Sequence, residues 1–331
     1  MQFMSDNAAP VHPRVWDAMR AADSADTPYD TDALSRELDA RFSALFGREC
    51  AALWVATGTA ANCLALSTMV EPHGGVICHE EAHIEMDECG APGFYLHGAK
   101  LLLAGGVGAK LAPEAIAEVL AGITRGVHQV PAQAISITQA SEYGLVYSHG
   151  ELDAVAALAR EHGLGLHMDG ARFANAAAHL ACSPAEAAGA VDALSFGFVK
   201  NGGMGAEAIV FFDPEKAATI HFRRKRAGHL QSKGRFLAAQ ILAMLDDDLW
   251  LANARAANDA AQIVAKAAGE RLVHPAQVNE LFVRMNAVER AALRTQGFAF
   301  YDWDDSSIRL VTSWATDPGH AQALGKAIAA L

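Results

Sequence analysis

Three short segments place reactive side chains at the ends of apolar runs. Leu164-Gly165-Leu166-His167-Met168-Asp169-Gly170-Ala171-Arg172 closes one run with a carboxylate and, three residues on, a guanidinium. Ser195-Phe196-Gly197-Phe198-Val199-Lys200-Asn201-Gly202-Gly203 closes another with a lysine before a glycine-rich turn. A lysine buried there is costly unless it is paired or chemically used. In Trp54-Val55-Ala56-Thr57-Gly58-Thr59-Ala60-Ala61-Asn62 a strand, a tight turn and a helix start follow one another. Backbone N–H groups at Gly58, Thr59 and Ala60, with the Thr59 hydroxyl, can hold a phosphate against the helix dipole. Alone, Asp169 is as readily a helix cap and Gly58-Thr59 an ordinary helix start. Together the three segments offer an anion cradle, an acid and an amine. That set fits pyridoxal 5′-phosphate, with phosphate on Gly58-Thr59, pyridine nitrogen on Asp169 and aldehyde carbon on Lys200 as a Schiff base.

Other motifs carry less. Gly105-Gly106-Val107-Gly108-Ala109-Lys110 lacks the Ser/Thr a phosphate-binding P-loop needs after its lysine, and reads as a turn. His79-Glu80-Glu81-Ala82-His83 has the spacing of the HExxH zinc metalloproteases. That chemistry needs both imidazoles on one helix, and here a Gly-Gly pair and a strand immediately precede His79. No metal site is therefore assigned. His221-Phe222-Arg223-Arg224-Lys225-Arg226, followed by Lys233 and Arg235, is the one basic cluster and reads by default as a solvated helix face.

The elements that must position these residues alternate. Helix-period stretches and short apolar runs follow one another from about residue 31 to 250, which predicts a mostly parallel sheet covered on both faces. Strands are expected at 51–55, 76–78, 134–138, 165–168, 193–198 and 208–212, with ligands at their carboxyl ends. Beyond Gly228 come long Ala-rich helices and short strands at 279–285, 298–301 and 308–312. The predicted organisation is an N-terminal segment with a large cofactor-binding domain over 1–250 and a small α+β domain over 251–331.

A chain of 331 residues with 52% hydrophobic and 19% charged residues can bury about three-quarters of its surface and is not disordered. A net charge of −12 argues against a dedicated nucleic-acid or anionic-membrane partner. The start has no apolar signal core and there is no run of 18 uncharged apolar residues, so a cytoplasmic location without membrane anchoring is expected. Five cysteines without a CxxC pair read as free thiols of a reducing compartment.

Over essentially its whole length the sequence resembles the low-specificity L-threonine aldolases of the β-eliminating lyase group. The resemblance rests on Ser5-Asp6-Asn7, Gly58-Thr59-Ala60-Ala61-Asn62, Ala82-His83, Asp87-Glu88-Cys89-Gly90-Ala91-Pro92, His167-Met168-Asp169-Gly170-Ala171-Arg172, Lys200-Asn201-Gly202 and Arg309-Leu310-Val311-Thr312. It implies fold type I of the pyridoxal phosphate enzymes (aspartate aminotransferase-like), an α/β large domain with a small α+β domain. It also implies a homotetramer whose sites are shared between subunits, and a lyase (aldehyde-lyase) acting on a small amino-acid substrate. Retro-aldol Cα–Cβ cleavage of L-threonine, L-allo-threonine or related β-hydroxy-α-amino acids would give glycine and an aldehyde. Other uses of the same lysine and aspartate are β-elimination, aldol transfer and transamination.

Carried over by position, the resemblance makes Lys200 the Schiff-base lysine and Asp169 the partner of the pyridine nitrogen. It puts His83 against the cofactor ring, and makes Arg172, Arg309 and the Ser5 hydroxyl a clamp on the substrate carboxylate. His83 and His128 are the candidate bases for the β-hydroxyl, although His128 also reads as a polar residue of the loop before the 134–138 strand. Tyr29 matches an active-site aromatic contributed across an interface, and Lys233 a phosphate cation from the neighbouring subunit, with Arg226 and Lys225 as alternatives for that cation.

Overall fold

A computed structural model describes residues 1–331. Local signals set many of its element boundaries. Asp32 caps the Ala33–Phe46 helix by accepting from Ser35 N at 2.9 Å, and Gly47 ends it in the left-handed region at φ 63°. Ser148 and Glu151 form a reciprocal capping box at the start of the His149–Glu161 helix.

Seven strands form the main sheet: β1 (Ala51–Val55), β2 (Gly75–His79), β3 (Lys100–Ala104), β4 (Ala132–Thr138), β5 (Gly165–Gly170), β6 (Ala193–Phe196) and β7 (Glu207–Phe211). Their spatial order is β1-β7-β6-β5-β4-β2-β3, and β7 alone runs antiparallel to its neighbours. Helices cover both faces, as a parallel sheet requires. The carboxyl ends of β1, β4, β5 and β6 consequently open on one edge.

Residue alternation along β5 decides what reaches that edge. Leu166 and Met168 point into the larger core, where Phe196 packs against Phe173, Trp250 and Phe42 with ring centroids 5.0, 5.3 and 6.0 Å away. His167 and Asp169 share the opposite face. There His167 lies between Ser136 Oγ at 2.9 Å and Ser195 Oγ at 3.0 Å. Burial lowers its pKa to about 4, so the ring is a neutral crosslink of three adjacent strands.

A second sheet, β8 (Glu280–Arg284), β10 (Ser307–Val311) and β9 (Tyr301–Asp302) in that order, packs on the Leu249–Ala268 and Pro318–Ala329 helices. The 298–301 strand foreseen from the sequence is shorter and later. Phe298 and Phe300 are buried, but Ala299 is hydrogen-bonded to Met1 and Phe3 of the chain's own start rather than to a strand of that sheet. Elements not foreseen include β3, the Pro13–Ala21 helix and the Phe173–Leu180 helix that follows Arg172. No helix is long and apolar enough to cross a membrane.

Candidate active site

The open edge holds a cavity of about 280 Å³ lined by the ends of all three segments that the sequence singled out. Lys200 sits in a single turn, Val199–Asn201, fixed from several sides. The Glu207 carboxylate accepts from the N–H groups of Phe198 and Val199. Asn201 donates to Trp250 O at 2.7 Å and receives Asn253 Nδ2 on its own carbonyl at 2.8 Å. Gly202 closes the turn at φ 112°, a conformation that side chains resist. The Lys200 ammonium itself has neither a hydrogen bond nor an ion pair within the chain and faces the cavity.

Asp169 is buried at the end of β5, with Oδ1 accepting from Ala171 N at 2.9 Å and Oδ2 from Asn62 Nδ2 at 2.7 Å. No ion pair engages it, so a positively charged N–H in the cavity can pair with this carboxylate. The same Asn62 amide donates to Glu88 at 2.9 Å, and Glu88 in turn holds His83 Nδ1 at 2.9 Å. The Glu88 bond raises the His83 pKa, against burial, so the imidazole is biased toward its charged form.

The Gly58–Ser67 helix aims its N-terminus at the cavity. Thr57 Oγ accepts from Ala60 N at 3.2 Å, which leaves the N–H groups of Gly58 and Thr59 without an acceptor in the chain. Gly58 has no atom within 4 Å of where a Cβ would stand, so the approach is open. Ala60 is buried and does not line the cavity, since its N–H already serves the cap. Arg172 and Lys200 are the only Lys or Arg side chains in the lining.

Arg172 is almost fully buried, with Nε and Nη2 donating to Asp6 at 2.8 and 3.1 Å and Nη1 paired with Glu280 at 3.1 Å. Burial would lower its pKa, but Asp6 and Glu280 raise it. Asp6 is itself pulled up by burial, yet Arg172 and then Lys200 hold it below the usual range. N–H groups remain on both Nη atoms, enough for an incoming carboxylate. Arg309 stands behind this group, paired with Glu280, and does not line the cavity. Ser5 caps the Asp6–Ala8 turn by accepting from Asn7 N at 3.2 Å, and Asn7 rather than Ser5 reaches the lining.

Three foreseen residues lie elsewhere within one chain. Tyr29 and Lys233 are paired by an isolated backbone bridge on an exposed patch, where the Lys225 ammonium stands 4.7 Å from the Tyr29 ring centroid. His128 is exposed in the Gly126–His128 turn before β4, whose carboxyl end, not its start, borders the cavity. The HExxH spacing is split between the end of β2 and the start of the His83–Met86 helix. Both His79 nitrogens are engaged, Nε2 with Gly106 O at 3.0 Å and Nδ1 with Glu81 N at 3.0 Å.

Sequence reasoning gave no role to Asp6, Asn62, Glu88, Glu142, Glu207 or Glu280. Asp6, Asn62 and Glu88 stand inside quoted motifs, so a signal existed. Glu142, Glu207 and Glu280 lie outside the quoted motifs, and only the fold brings them to the cavity or to the Arg172 group.

The donor set fits pyridoxal 5′-phosphate: an unpaired lysine, a buried acid without an ion-pair partner and a helix N-terminus with two free N–H groups face one cavity. Residues 2–288 match the family model described as β-eliminating lyase. The chain is 41% identical to a low-specificity L-threonine aldolase of Pseudomonas sp. (strain NCIMB 10558) over 100% of its own length and 97% of that protein's. It is 41% identical to that of Pseudomonas aeruginosa, over 99% and 96%. The fold superimposes on a threonine aldolase of Leishmania major with a TM-score of 0.93 at 27% identity, covering 99% of this chain and 98% of that one. The mostly parallel sheet with its cavity edge, the cofactor donors and the full-length likeness agree, and the chain belongs to the β-eliminating lyase family, among its low-specificity L-threonine aldolases.

Proposed function

We propose that this enzyme cleaves L-threonine, L-allo-threonine and related β-hydroxy-α-amino acids to glycine and an aldehyde, with pyridoxal 5′-phosphate as cofactor. The observation that carries the reading is the convergence of Lys200, Asp169 and the free N–H groups of Gly58 and Thr59 on one cavity beside Arg172. When bound, the cofactor supplies an aldehyde that condenses with amines and a conjugated ring that takes up an electron pair released at Cα. Lys200, the unpaired amine of the cavity, would hold the cofactor through its aldehyde carbon and give it up to the substrate amine. Asp169, fixed by Asn62 and Ala171, keeps a proton at the ring nitrogen. The helix N-terminus and the Thr59 hydroxyl hold the phosphate. His83, anchored by Glu88, presents its ring to the cavity wall.

Arg172 binds the substrate carboxylate, steadied by Asp6 and Glu280, with Arg309 supporting it through Glu280 and Ser5 through the turn that carries Asp6 and Asn7. A fixed carboxylate sets which Cα bond is aligned for cleavage. The phosphate would be a dianion, and Arg172 and Lys200, both with other roles, are the only Lys or Arg side chains of the same chain that line the cavity with Gly58 and Thr59. Lys233 and Tyr29, together on an exposed patch, supply the missing cation and an aromatic wall to a neighbouring subunit's site. A homotetramer located in the cytoplasm is the assembly this reading implies.

The test is an absorption spectrum of the purified protein together with acetaldehyde release from L-threonine. A visible cofactor band and acetaldehyde formed without any keto acid are expected. Activity that requires a keto-acid acceptor would make the enzyme an aminotransferase instead.

A further inference from the structure

Five of the six carboxyl groups in and around the cavity have partners in the chain. Asp6 holds Arg172 and Asn279; Glu280 holds Arg172 and Arg309; Glu88 holds His83 and Asn62; Asp169 accepts from Asn62 and Ala171; Glu207 accepts from Phe198 and Val199. Glu142, in the loop between β4 and the His149–Glu161 helix, lines the cavity and has no hydrogen bond or ion pair of its own.

A half-buried carboxylate that lines the cavity without a partner in the chain is free to accept a proton from a bound substrate. It repels the substrate carboxylate, which Arg172 takes. The amine is consumed when it replaces Lys200 on the cofactor. The β-hydroxyl is the donor that is left. We propose that Glu142 is the catalytic base that receives the β-hydroxyl proton during cleavage, a role resting on the aldolase function given above. As the O–H proton passes to a Glu142 oxygen, the O–H pair becomes the second C–O bond of the aldehyde. The Cα–Cβ bond breaks and its pair stays with Cα. A proton delivered to Cα then completes glycine, so atoms balance with no net oxidation and no further reactant.

The alternatives within the chain are weaker. His83 has Nδ1 committed to Glu88 and is biased toward the protonated ring, which cannot accept a proton. His128 is outside its own chain's cavity. Glu142 is poised near neutrality: burial, with the like charges of Asp169 and Glu280, raises it to about 7, against the opposing pull of Lys200 and His83. Arg172 also faces it, and the two charges interact. Activity therefore falls as pH drops through this range and the carboxylate is protonated.

Glu142→Gln in the holoenzyme is the test, with two reactions followed. Cleavage of L-allo-threonine needs the hydroxyl base; exchange of the glycine Cα hydrogen with D₂O, followed by NMR, uses the same cofactor and clamp but has no hydroxyl. Loss of a general base predicts a fall in cleavage kcat of about 100-fold or more, with KM changed little. The ratio of cleavage to exchange falls by the same factor, the acid limb near pH 7 disappears, and Glu142→Asp recovers part of the rate. Because the raised pKa means that the ionised carboxylate opposes folding, Glu142→Gln melts no lower than wild type at pH 8. Cleavage and exchange falling together, or cleavage unchanged with its acid limb intact, would overturn the assignment. Wild-type enzyme that exchanges glycine but releases no aldehyde would overturn the aldolase function, and the base with it.

Discussion

Two charged regions of this enzyme differ in how they are held. At the carboxyl ends of β5 and β6, Asp169, Glu207 and Arg172 are buried and each is fixed by at least two groups, while Lys200 is left unpaired. On the Tyr29–Lys233 patch, Lys233 and Tyr29 are exposed and joined only through backbone, and Lys225 merely overlies the Tyr29 ring. A site whose geometry must be met within fractions of an ångström is built from residues that cannot move. A cation that only balances a phosphate charge tolerates exposure until a second subunit covers it. On the function proposed above, the chain carries the lysine, the acid and the carboxylate clamp at one edge and offers Lys233 to a neighbouring subunit as the phosphate counter-charge.

The difference is broken most severely at its centre. Lys200→Ala removes the only unpaired amine of the cavity, and both the visible cofactor band and aldehyde release should fall to background, measured by absorbance and by a coupled assay.

The clamp comes next. Arg172→Lys keeps the charge but loses the planar fork that serves Asp6 and the substrate at once. kcat/KM for L-threonine should drop by roughly 10²-fold, equivalent to about 2.7 kcal/mol, chiefly through KM. An unchanged KM would move the carboxylate to another residue.

The smallest of these effects is on stability. The Glu88 bond raises the folded-state pKa of His83, so its contribution is complete below the unfolded value near 6.5 and is lost as pH rises through the folded value. Glu88→Gln should therefore destabilise the fold by about 1–2 kcal/mol more at pH 6 than at pH 9, read from urea unfolding. A cost independent of pH would mean that the His83 contact contributes nothing beyond packing.

How legible all this was in the sequence depends on locality. Asp169 and Lys200 stood out because a buried run of apolar residues ends abruptly in a charge, and both strand ends are continuous in sequence. The network around Arg172 did not, because Asp6, Arg172 and Glu280 meet from three distant parts of the chain with no spacing to betray them. The 298–301 strand was displaced for a related reason: its backbone partner is Met1–Phe3, almost the full chain length away. Strand β3 was passed over because its residues are only partly buried at an edge of the sheet and its alternation is weak. Ala60 was read as a phosphate donor from its place in a helix start, and only the Thr57 cap shows that its N–H is engaged.

The division between a self-contained catalytic edge and an outward-facing cation is tested most directly by subunit complementation. Lys200→Ala and Lys233→Ala chains, each inactive or strongly impaired and each folded, are co-expressed and the mixed oligomers purified. Across a two-fold interface one site collects both defects, while the other receives native Lys200 from one chain and native Lys233 from its neighbour. Activity well above either parent, with a visible cofactor band, is the predicted result. Mixed oligomers as inactive as both parents would contradict it and place the whole phosphate site within a single chain.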